Sequence, residues 1–226
     1  MHLHLVPQRL CLCGIPMGKS DCQHENTSFK LDGGVYFLTI TIMGWKHVFI
    51  KREYLDFIID SLKFYQDKRD VKTVGYCLMP NHLHWIFKLS LSYSDIVKIL
   101  RTIKSFTATQ LLKRLNSEVR SYVLPVHPIF IGNRNVNVEE PKDILKYFSY
   151  CARSDIDQLH RFWQRESDIK LIDSYKFLIQ KLRYIHNNPI REKWELVKDP
   201  VEYPYSSCRF YENSSDWNGL HIQSLF

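Results

Sequence analysis

The stretch from Val71 to Leu89 constrains the fold more tightly than any other part of this chain. Two runs rich in β-branched and aromatic residues, Val71 to Met79 and His82 to Leu89, are separated only by Pro80-Asn81. So short a connection can join only antiparallel strands, because parallel ones need a crossover of a dozen residues or more. A hairpin here commits the chain to an antiparallel sheet. The second run also carries His82 and His84, which the period-two geometry of a strand turns to one face while Leu83 and Trp85 take the other.

The flanking patterns supply the rest of the sheet and its cover. Asp32-Gly33-Gly34 is a turn signal, followed by the run Val35 to Ile42, which reads as a buried strand. Residues 51–67 place Leu55, Ile58, Ile59, Leu62 and Tyr65 at helical spacing. A second helix spans 94–115, with Ile96, Leu100 and Ile103 on one side. The pattern is lost over 117–138, which reads as a loop, and returns as a helix over 141–152. Short strands are expected at 161–164 and 169–172, and a last helix at 174–187, stopped by Pro189. Strand, helix, strand, strand, helix is the order of an α+β fold, one antiparallel sheet covered by helices.

At 226 residues the chain can bury one substantial core, and 30–226 is expected to form it, with 1–29 as an N-terminal extension. Within the extension, Cys11, Cys13, Cys22 and His24 lack the spacing of a zinc knuckle, and the triplet His2-Leu3-His4 has no strand around it. The six cysteines fall at irregular spacings and read as reduced thiols. No apolar run approaches a membrane span, and no signal peptide is evident, so a cytoplasmic protein is expected. Lys and Arg number 31 against 24 Asp and Glu, for a formal charge of +7, and 14% of residues are aromatic. That profile suits a nucleic-acid binder, since cations displace phosphate counterions and flat rings stack on bases; it also suits a basic soluble enzyme.

Two imidazoles side by side on a sheet make half of a divalent metal site. On the last helix, Leu178, Leu182 and Ile185 form a core stripe, and Phe177, Lys181, Tyr184 and Asn188 form a second stripe beside it. A phenol and a carboxamide four residues apart can complete such a site, the amide as ligand and the phenol as nucleophile toward a polarised phosphodiester. Read by themselves, the same residues also fit polar groups on a sheet face and a tyrosine flanking the core.

Several motifs in register resemble one family. Gly75-Tyr76-Cys77-Leu78-Met79-Pro80-Asn81-His82-Leu83-His84 resembles the paired-histidine HUH motif of the insertion-sequence single-tyrosine transposases. Phe162-Trp163-Gln164, then Tyr184-Ile185-His186-Asn187-Asn188-Pro189-Ile190-Arg191, then Tyr203-Pro204-Tyr205-Ser206-Ser207, are similar to the branch known as REP-associated tyrosine transposases. The match runs from about residue 32 to 211. It implies a ferredoxin-like HUH endonuclease fold, with His82, His84 and Asn188 as metal ligands, Tyr184 as nucleophile and Mg²⁺ or Mn²⁺ as cofactor. The substrate it implies is single-stranded DNA, often with a hairpin, cut through a 5′-phosphotyrosine link that conserves the bond energy without ATP.

Relatives include dimers that swap the tyrosine helix and monomers that act in cis, so a homodimer is one assembly open to this chain. Two other functions share the fold: a host-adopted, non-catalytic DNA-hairpin binder and a replication or relaxase-type nickase. The chain departs from the family at residues 1–29 and at Glu192-Lys193-Trp194, where small residues are usual; the second departure is expected to affect packing, not chemistry. Lys98, Arg101 and Lys104, extended by Lys113 and Arg114, and Lys181 on the last helix, are candidate DNA-phosphate contacts, against the alternative of a solvated helix face. Trp163 and His186 read as packing residues.

Overall fold

A computed structural model of the chain describes residues 34–68, 71–89, 93–120, 133, 135–153 and 159–225. The extension with its cysteines and its His2-Leu3-His4 triplet lies outside the described residues, as does most of the loop expected over 117–138. The elements run β1 (Gly34–Thr41), α1 (Arg52–Lys68), β2 (Val71–Met79), β3 (His82–Leu89), α2 (Tyr93–Arg120), α3 (Pro141–Cys151), β4 (Asp168–Ile172), α4 (Tyr175–His186) and α5 (Cys208–Asn213). The strands form one sheet in the order β2-β3-β1-β4, with every neighbouring pair antiparallel. This is the ferredoxin-like α+β arrangement expected from the hairpin and the helices around it. Among the described residues no helix is long and apolar enough to cross a membrane.

The hairpin forms where the residue pattern places it, with Pro80-Asn81 as its turn. β2 and β3 are buried on both faces, which is why they read as near-continuous apolar runs rather than as alternation. Two differences from expectation have local causes. Helix α2 continues to Arg120, its added turn held where Glu118 accepts from the Tyr54 hydroxyl at 2.6 Å and pairs with Lys51. Residues 161–164 form no strand; Trp163 makes a single bridge to Ile42, and its indole Nε1 donates to the Lys104 carbonyl at 3.0 Å and lies 3.2 Å from Thr107 Oγ1.

The register fixes which side chains share a face. Thr41 stands opposite His82, and Thr39 opposite His84, while Cys77 and Met79 of β2 flank the same pair. Gly75 lies on this face too, and there α4 comes down onto the sheet: a Cβ at Gly75 would sit 2.6 Å from Leu182 Cδ2 and 3.3 Å from Ser207 Oγ. The missing side chain is what admits the helix at this height. Gly75→Val should therefore cost about 1–3 kcal/mol of stability by overpacking and lift Tyr184 away from the sheet. Thermal melts would show it, and an unchanged midpoint would contradict the close approach.

The outer edge of β2 is closed by the C-terminal chain. Leu78 N donates to the Tyr205 carbonyl at 2.8 Å and Ser207 N to the Tyr76 carbonyl at 3.0 Å, while the Tyr203 hydroxyl donates to the Leu78 carbonyl at 2.7 Å. The Tyr-Pro-Tyr-Ser-Ser segment thus protects an edge that would otherwise pair with another chain. From the same segment, Ser207 Oγ meets His186 Nε2 at 2.9 Å and ties α4 over β2. Among the described residues His186 Nδ1 has no partner, and burial pushes this imidazole's pKa down to about 3.

Folding therefore holds His186 neutral where the unfolded chain would protonate it. Its folded pKa lies below the unfolded value near 6.5, so the associated stability is complete above pH 6.5 and is lost as pH falls toward 3. The slope is about 1.4 kcal/mol per pH unit for each such imidazole. Urea midpoints measured at pH 7, 6 and 5 should fall in that order; a level midpoint would exclude neutral burial.

Candidate functional site

His82 and His84 project from the start of β3 into a cavity of about 800 Å³ whose lining also includes Phe37, Thr39, Tyr184, Asn188, Arg191 and Lys193. Both imidazoles are buried, at 6% and 3% exposure. Burial is the main reason their pKa values are lowered, to about 3 for His82, helped by Lys193 and His47, and well below the usual range for His84, helped by His82, Lys181 and Arg191. Both rings are therefore neutral at physiological pH, the form that can ligate a metal.

Hydrogen bonds on the far side of the rings set their tautomers. Asn81, 1% exposed, donates its Nδ2 to the Trp45 carbonyl at 3.0 Å, which leaves its Oδ1 facing His82 Nδ1 at 2.6 Å. An amide oxygen only accepts, so Nδ1 carries the proton and His82 Nε2 presents a bare lone pair. Thr39 Oγ1 lies 2.9 Å from His84 Nδ1 and can accept from it in the same way. The two Nε2 atoms converge to 3.1 Å. Ligands at right angles on an octahedral ion with bonds of about 2.1 Å stand about 3.0 Å apart, so this spacing fits a shared divalent cation.

Among the described residues no cluster of three His, Cys, Asp or Glu could hold a metal, so a third protein ligand has to come from another side chain. Asn188 is at hand. It opens the 3₁₀ turn Asn188–Ile190 directly after α4, is 4% exposed, and places its Nδ2 3.3 Å from His82 Nε2. Rotation of the amide by about 180° puts its oxygen in the same position. Pro189 at the second position of the turn ends the α-helix and swings Asn188 inward, so the residue reaches the histidines from a turn and not from the helix itself.

Tyr184, on the last turn of α4, packs edge-on against His84 with ring centroids 5.2 Å apart, and against Phe37 at 6.3 Å. Ser174 caps the start of α4, and Leu178, Leu182 and Ile185 bury the core stripe, which leaves Phe177, Lys181 and Tyr184 along the adjacent one. Within this chain the tyrosine helix lies against the histidine pair. Two cations flank the phenol: the Arg191 guanidinium lies 4.4 Å from the ring centre and Lys181 Nζ 5.5 Å from it. Neither of them, nor Lys193, has a carboxylate within ion-pair distance among the described residues. The cavity lining carries Lys170, Lys181, Arg191 and Lys193 against Glu166 and Asp168, a surplus of positive charge beside neutral imidazole nitrogens.

Of the residues read from the sequence, His82, His84, Tyr184, Asn188 and Lys181 meet in this cavity. The cations of α2 do not line it. Lys104 points inward, with Nζ donating to the carbonyls of Gln164 at 2.6 Å and Arg165 at 3.2 Å, and Arg114 pairs with Glu53. Both are candidate phosphate contacts; Lys104 is engaged by backbone carbonyls, while the Arg114–Glu53 pair is partly exposed. Arg101 and Lys113 are exposed on that helix, as is Lys98. Trp163 and His186 are buried packing residues, as expected.

The sequence reading missed Asn81, which it took only as a turn residue, and Arg191, quoted only as part of a motif. It also placed Lys193 and Trp194 outside the chemistry. In the structure Trp194 is buried, with its ring centre 6.0 Å from that of His82, and both residues line the cavity. Asn81→Ala, which frees the His82 tautomer, should weaken divalent-metal binding by about 10- to 100-fold, the usual effect of removing an outer partner of a ligating histidine. Calorimetric titration with Mn²⁺ measures this; unchanged affinity would show that the amide does not orient the ring.

The chain is similar to known proteins in sequence and in fold. Residues 35–126 match the family model described as "Transposase IS200 like", a stretch that includes both histidines and ends before Tyr184. A Haemophilus influenzae protein provisionally named a REP-associated tyrosine transposase is 27% identical over 194 residues, covering 83% of this chain and 89% of that protein. A solved structure of a REP-associated tyrosine transposase bound to a REP hairpin superposes with a TM-score of 0.52 at 15% identity, over 89% of this chain and 99% of that one. The shared fold extends over nearly the whole length of both.

Proposed function

We propose that this chain, which matches the IS200-like transposase model over residues 35–126, is a metal-dependent single-stranded DNA transposase that cuts and rejoins strands through Tyr184, on DNA that carries a hairpin. The observation that supports this best is the meeting of Tyr184 with the converging Nε2 atoms of His82 and His84 inside one chain. A tyrosine at that position has a ready electrophile in a phosphodiester bound between the histidines and Arg191. The solved structure of a hairpin-bound protein with the same fold supports the choice of a DNA hairpin as partner.

In this reading His82, His84 and Asn188 hold Mg²⁺ or Mn²⁺, which when bound polarises the scissile phosphate and offsets charge at the leaving oxygen. Tyr184 Oη attacks phosphorus; the P–O3′ bond breaks as the new P–O(Tyr) bond forms. The phenolic proton passes to solvent, and the departing 3′ oxygen takes one up. Arg191 and Lys181, beside the phenol, hold the anionic phosphate. Attack on the phosphotyrosine by a DNA 3′-hydroxyl reverses these bonds and rejoins a strand. Because all four residues belong to one chain, a monomer can complete the cut, and a homodimer would have no need to exchange α4.

Incubation with Mn²⁺ and a hairpin-bearing single strand should yield a protein–DNA adduct that survives denaturant and is prevented by a chelator. Hairpin binding with no adduct under either Mn²⁺ or Mg²⁺ would overturn the catalytic reading and leave a DNA-hairpin-binding protein.

A further inference from the structure

Trp45 lines the same cavity, beside His82. It ends the 3₁₀ turn Met43–Trp45 with a positive φ of 57°, a conformation that costs a bulky residue energy, and it nevertheless leaves 51% of its surface exposed. The turn presents an indole to solvent instead of burying it. Its ring centre lies 6.2 Å from that of His82, edge to face. Lys193 Nζ stands 5.4 Å from the Trp45 ring and 5.4 Å from the Trp194 ring, bridging the exposed indole to the buried one.

The buried amide of Asn81 connects the two functions of this wall. Its oxygen faces His82 and its nitrogen holds the Trp45 carbonyl at 3.0 Å, so one side chain sets the position of a ligand imidazole and of the indole together. Trp45 N also donates to the Ile42 carbonyl at 3.0 Å. A flat π-surface is thus held at a set distance from the histidine pair, with the Lys193 ammonium beside it. A phosphate bound at the histidines brings an adjacent nucleotide to this wall. An unpaired base has the π-face that suits the indole, and the nucleotide backbone has the charge that suits Lys193.

We infer that Trp45, with Lys193, forms a nucleobase subsite that stacks an unpaired base next to the scissile phosphate. The inference rests on the proposed single-strand DNA function, and its test is one of binding, so that it is read independently of cleavage. The full chain bearing Tyr184→Phe is titrated, with Mn²⁺ present, with a (dA)12 oligonucleotide and with an abasic oligomer of the same length.

The first oligomer should bind more tightly by about tenfold, the scale of base–aromatic stacking. Trp45→Ala should erase most of that preference, Trp45→Phe should retain most of it, and Trp217→Ala, which removes another half-exposed indole that does not line the cavity, should leave it intact. Trp45→Ala with the full preference for bases would overturn the subsite. Failure of both oligomers to bind the parent protein would instead remove the single-strand reading on which it stands.

Discussion

Replacing Tyr184 by phenylalanine should abolish the covalent DNA adduct, with strand cleavage falling by about 10⁴-fold or more, the scale on which loss of a catalytic nucleophile is felt. Little else should change. Among the described residues the hydroxyl makes no hydrogen bond, and the ring contacts with Phe37, His84, Arg191 and Lys181 do not need it. The cost to stability should therefore stay within about 0.5 kcal/mol. Hairpin affinity should also be preserved, since the phosphate contacts belong to neighbouring cations. Denaturing gels with end-labelled DNA read the adduct, and an undiminished adduct in the variant would sink the assignment of Tyr184. An adduct lost together with the cooperative thermal transition would point to a structural role.

His84→Ala should lower cleavage by about a thousandfold, because electrophilic stabilisation by a bound divalent ion is worth several kcal/mol. Divalent-metal affinity should fall further than in Asn81→Ala, beyond the roughly 100-fold ceiling for outer partners. His84 is the more informative of the pair, since its ring lies between His82 and Tyr184 and contacts both. Asn188→Ala should have a smaller effect on metal affinity, about tenfold, since an amide oxygen is a weaker ligand and water can replace it. Single-turnover cleavage at graded Mn²⁺ separates these outcomes: a ligand defect is relieved in part by more metal, and a collapsed site is not. Equal metal affinity in His84→Ala and the parent would remove the histidines from the ligand set.

The sequence showed the parts of the site that depend on local periodicity. His82 and His84 fall on one face because strand geometry has a period of two, and the Pro80-Asn81 turn leaves no other register. Tyr184 falls beside the core stripe because a helix has a period of 3.6. The ends of β2 and β3 and the start of α4 were legible for the same reason. The end of α2 was not, because its last turn is held by the contacts of Glu118 with Tyr54 and Lys51 rather than by a cap or a breaker in the sequence.

The residues that went unread share a different property. Asn81 occupies a turn position that Asn fills in many proteins for backbone reasons alone, and nothing local reveals that its amide reaches both Trp45 and His82. Lys104 and Arg101 sit three apart on one helix and look alike in sequence, yet one is drawn onto the carbonyls of residues 164 and 165 and the other is exposed. Side-chain partners contributed by distant segments leave no periodic trace.

By itself the sequence determined the hairpin, the shared face of the histidine pair and the helical stripe that carries Tyr184, since each follows from backbone geometry over a few residues. Only the tertiary structure decided that α4, lowered onto the sheet at Gly75, brings Tyr184 to the histidine pair, and that Trp45, Lys193 and Trp194 line the same cavity. Those placements depend on how closely elements far apart in the chain can pack, and that is set by the whole core.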